Sequence, residues 1–223
     1  VKVDTDASRG MTGAALRAAI REDRAAGMVP AGVILCAGGT SVGAFDRIGE
    51  CISAAQAEGV PVHVDAAWGG ATLLSESYRY LLKGIELADS VTIDAHKQMY
   101  VPMGAGMVVF KHPSAAHAIE HHAEYILRKG SKDLGSQTLE GSRPGMAMLV
   151  HACLQVIGRK GYEILINRSL EKARYFATLI EHNIDFELIT EPELCLLTYR
   201  YVPAQVQKAM AKASSEQLQR FNE

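Results

Sequence analysis

Short apolar runs alternate with amphipathic stretches along most of the chain. Val1-Lys-Val reads as strand-like, and Asp4 to Gly10 as a polar turn. Thr12 is placed to cap a helix in which Leu16, Ala19, Ile20 and Ala25 share one face, with Gly27 as its stop signal. After Pro30, Ala31-Gly-Val-Ile-Leu-Cys-Ala37 has the pattern of a strand buried on both faces. A turn at Gly38–Gly43 follows, and Asp46 opens a helix that closes near Gly59. The pattern then predicts a strand over 61–66, a helical region around Ser75–Leu87 and a strand over 90–93. Gly104–Phe110 forms a further strand, antiparallel to the last after the tight Pro102–Gly104 turn. From Gly145 the texture changes to long helices, one over 145–158 and one over 162–182, followed by short strands at 186–189 and 194–199. A polar helix runs from Ala204 to the end. This order predicts a doubly wound, mainly parallel α/β domain over 1–160 and a smaller α+β unit over 161–223.

Composition narrows the field. The 223 residues carry a net charge of −2 with no basic run, so nothing electrostatic points to nucleic acid or an anionic membrane surface. No apolar stretch approaches the roughly 20 residues of a membrane span. The four cysteines, Cys36, Cys51, Cys153 and Cys195, lack CxxC spacing and read as reduced thiols of a cytoplasmic protein. The chain opens mid-pattern without an initiator Met, as a piece of something longer would.

Candidate chemistry gathers at two strand ends. Asp89-Ser-Val-Thr-Ile-Asp-Ala-His-Lys-Gln-Met-Tyr100 ends a strand with Asp94, His96 and Lys97 close together, and Val60-Pro-Val-His-Val-Asp-Ala-Ala-Trp68 brings Asp65 to the same edge. Loops beyond the carboxyl ends of such strands are where α/β proteins bind ligands. A lysine amine attacks carbonyls when neutral, and a carboxylate beside a pyridine nitrogen keeps that nitrogen protonated. Taken on spacing alone, the pair reads first as a helix-capping Asp65 and a solvated Lys97. The small residues of Asp65-Ala-Ala-Trp-Gly-Gly leave room for a flat ring, and His96 is a donor suited to a phosphate or carboxylate.

Three motifs carry a resemblance: His63-Val-Asp-Ala-Ala-Trp-Gly-Gly, Asp89-Ser-Val-Thr-Ile-Asp-Ala-His-Lys-Gln, and Gly141-Ser-Arg-Pro-Gly145. In order and spacing the chain resembles the pyridoxal-phosphate-dependent group II amino-acid decarboxylases, and Ala37-Gly-Gly-Thr-Ser-Val-Gly-Ala-Phe-Asp46 adds to the likeness. The run 130–148 leans toward the bacterial diaminobutyrate/glutamate branch. The resemblance implies a fold-type-I enzyme that converts an L-amino acid, L-2,4-diaminobutyrate or glutamate first, to its amine and CO2 as a cytoplasmic homodimer. It implies that Lys97 carries pyridoxal phosphate covalently, Asp65 pairs with the pyridinium nitrogen, and Ala67 packs on a ring face. His96 then sits beside the phosphate and Thr40 near the ring, while Arg143 reaches either an anionic group or the subunit interface. Much of the phosphate loop and a ring-stacking histidine are implied to lie outside this chain. The mobile loop at 129–138 lacks the tyrosine that protonates Cα in such enzymes, and Tyr125 stands off that position, which leaves another group or Lys97 for the role.

Competing readings lack their signatures. There is no GxxxxGK[ST] and no GxGxxG after the first strand, so Gly38-Gly-Thr-Ser is not a nucleotide loop. His117, His121, His122 and Glu124 lack the HExxH order and read as a solvated helix rather than a metal site. An aminotransferase or lyase of the same fold shares the Asp–Lys pair, and a non-catalytic scaffold shares the fold itself.

Overall fold

The local signals around Thr12 fold as their chemistry dictates. In the computed structural model, which describes residues 1–120, 134–138 and 143–211, Thr12 is extended and its hydroxyl accepts from Ala15 N at 3.2 Å. Helix α1 (Gly13–Ala25) buries Leu16 and Ile20, one turn apart, and ends as Gly27 takes φ 80°. Ala25, expected on the same face, points to solvent.

Strands β1 (Val33–Cys36), β2 (Val62–Asp65) and β3 (Ser90–Asp94) are parallel neighbours, and β4 (Gly106–Phe110) closes the sheet antiparallel to β3. Helix α2 (Ile48–Ala57) connects β1 to β2 and packs on both, with α1 against it. Leu35, Val62 and Val64 on that face, with Cys51 and Ile52 on α2, form the core.

Several expectations are corrected. Residues 1–3 are not a strand; the segment makes a lone bridge between Thr5 and Met11. Within this chain strand β1 is covered on one face, Val33 and Leu35 being buried while Ile34 is 71% exposed. An apolar run reads the same whether one face or two are covered. The helical region at 75–87 is not an α-helix but part of a series of 3-10 turns, Gly69–Leu74, Arg79–Leu82 and Ile85–Leu87. Ser75 breaks the series in extended conformation, its hydroxyl donating to Asn167 Oδ1 at 2.6 Å. Gly84 breaks it again at φ 92°, where a Cβ would stand 2.7 Å from Gly49 Cα.

Helix α3 (Met146–Glu181) joins both expected helices through a kink at Gly158, whose φ of 65° and ψ of 168° are non-helical. Two compact units result. One comprises Val1–Gly39 with Ala44–Asn167; the other comprises Thr40–Gly43 and the chain from Arg168. In the second unit, Leu170, Ala177 and Ile180 of α3 are buried, as are Leu194 and Val202. Its hairpin is β5 (Phe186–Thr190) with β6 (Thr198–Tyr201), and a short α4 (Ala204–Met210) follows. The second strand starts later than the expected 194, because Leu194 fills a core position in the loop and pairing resumes at Thr198, whose N–H donates to Thr190 Oγ1 at 2.8 Å. No helix among the described residues is long and apolar enough to cross a membrane.

Candidate active site

The site is built where β2 and β3 end. The parallel register sets Asp65 opposite Thr92. The backbone then stays laced to β3, Ala66 N donating to Thr92 O at 3.0 Å and Asp94 N to Ala67 O at 3.2 Å. These bonds bring Asp65 and Ala67 to the strand end from which Lys97 departs. Asp65 is exposed, and its Oδ1 accepts from Ala67 N at 3.0 Å, which leaves lone pairs on both oxygens for another donor.

Lys97 sits in a tight turn. Its N–H donates to Asp94 O at 3.1 Å, Tyr100 N to Lys97 O at 3.2 Å, and Val101 N to Ala95 O at 3.1 Å. Tyr100 takes φ 56°, a left-handed conformation that a bulky residue adopts only under tertiary constraint. That constraint comes from buried Ala95, Met99 and Val101, and from the Tyr162 hydroxyl on α3, which donates to Met99 O at 3.0 Å. The Lys97 amine extends to a carboxylate, its Nζ lying 3.0 Å from Asp94 Oδ2. His96 is largely buried; its Nε2 is 3.9 Å from the same oxygen, and its buried Nδ1 has no hydrogen-bond partner among the described residues. The Trp68 indole nitrogen is in the same condition.

Asp65, Ala67, His96 and Lys97 therefore share one edge of the first unit. Thr40 is exposed in the turn after β1 and groups with the second unit, and Arg143 is exposed ahead of α3. His121, His122, Glu124, Tyr125 and the 129–133 part of the expected loop lie outside the described residues, whereas Leu134–Gln137 forms a 3-10 turn. Sequence reasoning grouped Asp94 with Lys97 without giving it a role, and it passed over Trp68. Asp94 stood in plain view three positions from Lys97, a spacing that pairs side chains in one helical turn. Trp68 carried no signal, because an unpartnered indole nitrogen shows only in three dimensions. The glycines after it serve packing: a Cβ at Gly69 would stand 2.4 Å from Ala37 O, and one at Gly70 2.7 Å from Ile93 Cγ1.

This donor set fits pyridoxal phosphate. It offers an amine for the carbonyl, an exposed carboxylate for the ring nitrogen, a small residue beside that carboxylate, and a buried imidazole nitrogen without a partner among the described residues.

Comparison with known proteins points the same way. Residues 1–202 match the family described as the pyridoxal-dependent decarboxylase conserved domain. The chain is 60% identical over 217 residues to aspartate 1-decarboxylase of Aliivibrio fischeri, covering 97% of this chain and 40% of that protein. It is 31% identical over 185 residues to L-2,4-diaminobutyrate decarboxylase of Acinetobacter baumannii, covering 81% of this chain and 36% of that one. The crystal structure of mouse CSAD in apo form matches with a TM-score of 0.88 at 29% identity, over 98% of this chain and 46% of that chain. The chain thus spans about two fifths of the length of these curated relatives.

Proposed function

Since the chain belongs to the pyridoxal-dependent decarboxylase family, we propose that it forms the cofactor-binding part of an enzyme that removes CO2 from an L-amino acid. Aspartate is the first substrate of this reading, by likeness to the Aliivibrio fischeri aspartate 1-decarboxylase. Loss of its C1 carboxylate gives β-alanine and CO2.

The observation that carries the proposal is the pairing of Asp65 and Lys97 at adjacent parallel strand ends, tied by the Ala66–Thr92 and Asp94–Ala67 backbone bonds. When bound, pyridoxal phosphate supplies the electron sink for the pair left at Cα as the carboxylate departs. Lys97 anchors it covalently through Nζ. Asp65 holds the proton on the ring nitrogen, a fixed charge that costs no reorganisation during the reaction. Ala67 leaves room for the ring face, and His96 gives its unpartnered Nδ1 to the phosphate. Thr40 is assigned to the ring by resemblance. Residues 1–160 then serve as the large domain, and those from 161 begin the smaller one.

The working form in this reading is a cytoplasmic homodimer. The free thiols of Cys36, Cys51 and Cys153 accord with a reducing compartment. Met148 and Val156 on α3, 77% and 86% exposed, accord with a partner surface.

The test is CO2 release by the purified full-length protein with pyridoxal phosphate. Aspartate, glutamate, L-2,4-diaminobutyrate and an aromatic amino acid are each supplied. Stoichiometric CO2 and β-alanine, fastest from aspartate, is the expected result. Formation of a keto acid without CO2 would assign an aminotransferase instead.

A further inference from the structure

The roles proposed above leave Asp94 unused. Its Oδ2 lies 3.0 Å from Lys97 Nζ, and its side chain is 18% exposed. The position is built rather than incidental. The Asp94 N–H donates to Ala67 O and its carbonyl accepts from Lys97 N, so its backbone is held from both sides. Across the antiparallel pair it faces Gly106, where a Cβ would stand 3.2 Å from Asp94 Oδ1. Glycine there leaves the carboxylate its room. A solvated surface ion pair, worth little on its own, has no need of such provision.

The geometry points to Asp94 as a positioning residue for Lys97. Its Oδ2 holds Nζ at the ends of β2 and β3, so that the amine, once its proton has passed to water, presents its lone pair to a carbonyl from a fixed place. This rests on the proposed role of Lys97 as the attachment residue. A misplacement of about 1 Å in a reacting group costs on the order of 10²-fold in rate.

The full-length protein, freed of cofactor, is mixed with pyridoxal phosphate and sampled into borohydride. The mass of the Lys97 peptide then reports attachment over time. Asp94→Ala, folded by circular dichroism, should acquire the adduct about 100-fold more slowly than wild type. Added formate should recover roughly tenfold of that loss by standing in for the missing carboxylate, a rescue that a merely structural aspartate would not show. Gly106→Ala, which keeps the carboxylate but crowds Oδ1, should fall between the two. An Asp94→Ala rate equal to wild type, or a slow rate that formate does not change, would overturn the inference while leaving the Lys97 assignment intact. Should Asp94→Ala fail to fold, an unchanged rate in Gly106→Ala overturns it equally. A wild-type protein that gains no adduct at Lys97 overturns the proposed function itself, and this inference with it.

Discussion

Tyr162 ties α3 to the lysine turn, and replacing it with Phe isolates that tie. The side chain is fully buried, and its hydroxyl donates to Met99 O at 3.0 Å, two residues beyond Lys97. Burial first, with Cys153 adding to it, raises the pKa of this hydroxyl above its ordinary value of 10.0, so the donor persists through the neutral range. Phe keeps the ring and opens no large cavity; the cost is a carbonyl left unpaired where Met99 is 6% exposed. Leaving a buried acceptor unsatisfied costs about 1–3 kcal/mol. In a protein of this size each kcal/mol moves Tm by about 2–4 °C, which gives an expected fall of about 2–12 °C. Thermal unfolding followed by circular dichroism measures it, and a lower denaturant midpoint at unchanged m value confirms that stability alone has changed. The amide of Val101, which donates to Ala95 O within the turn, should also exchange faster. A Tm within about 1 °C of wild type, with unaltered exchange at Val101, would refute the buttress.

Other consequences are independent of that one. Asp65→Ala should retain pyridoxal phosphate poorly through gel filtration and lose roughly 10²-fold or more in turnover; near-normal turnover would remove Asp65 from the site. The Asp6 carboxyl is lowered from 3.8 to about 2, chiefly by the Ser8 hydroxyl, with Gly10 N–H and Arg47 assisting against partial desolvation. A depressed folded value contributes stability above the unfolded one that is lost on acidification, so denaturant midpoints should fall between about pH 4 and about pH 2. Asp6→Asn should flatten that slope, and an identical slope would contradict the assignment. Cys51, fully buried and donating to Met11 O at 3.3 Å, has its thiol pushed up to about 12 by burial and then by Asp46 and Glu50. Iodoacetamide near neutral pH should spare it in the folded protein and label it on unfolding; prompt labelling of the native protein would contradict its burial.

Much of this architecture was legible because its determinants are local. Thr12, the Leu16–Ile20 stripe and Gly27 specify α1 within one stretch of chain, and the apolar runs at 33–36 and 62–65 announce strands. The misses share a different cause. Gly84 is left-handed because it closes on Gly49, a contact that no window around residue 84 contains. Leu194 reads as strand, yet it fills a core position from a loop. The exposure of Ile34 depends on what covers the sheet, not on its neighbours in sequence. At the site, strand-end reasoning found Asp65, His96 and Lys97. The grip of Asp94 on Lys97 depends on the turn through Tyr100 and on Gly106 across the sheet. That grip became visible only once the strands were paired.

The central claim is that Lys97 is the residue that holds the cofactor. Visible absorption of the freshly purified full-length protein, followed by borohydride reduction and peptide mass mapping, tests it most directly. A yellow protein with a phosphopyridoxyl adduct on the peptide containing Lys97, absent in Lys97→Ala, is the predicted result. A colourless protein that stays unmodified after incubation with pyridoxal phosphate, or an adduct on another lysine with an unchanged spectrum in Lys97→Ala, would contradict it.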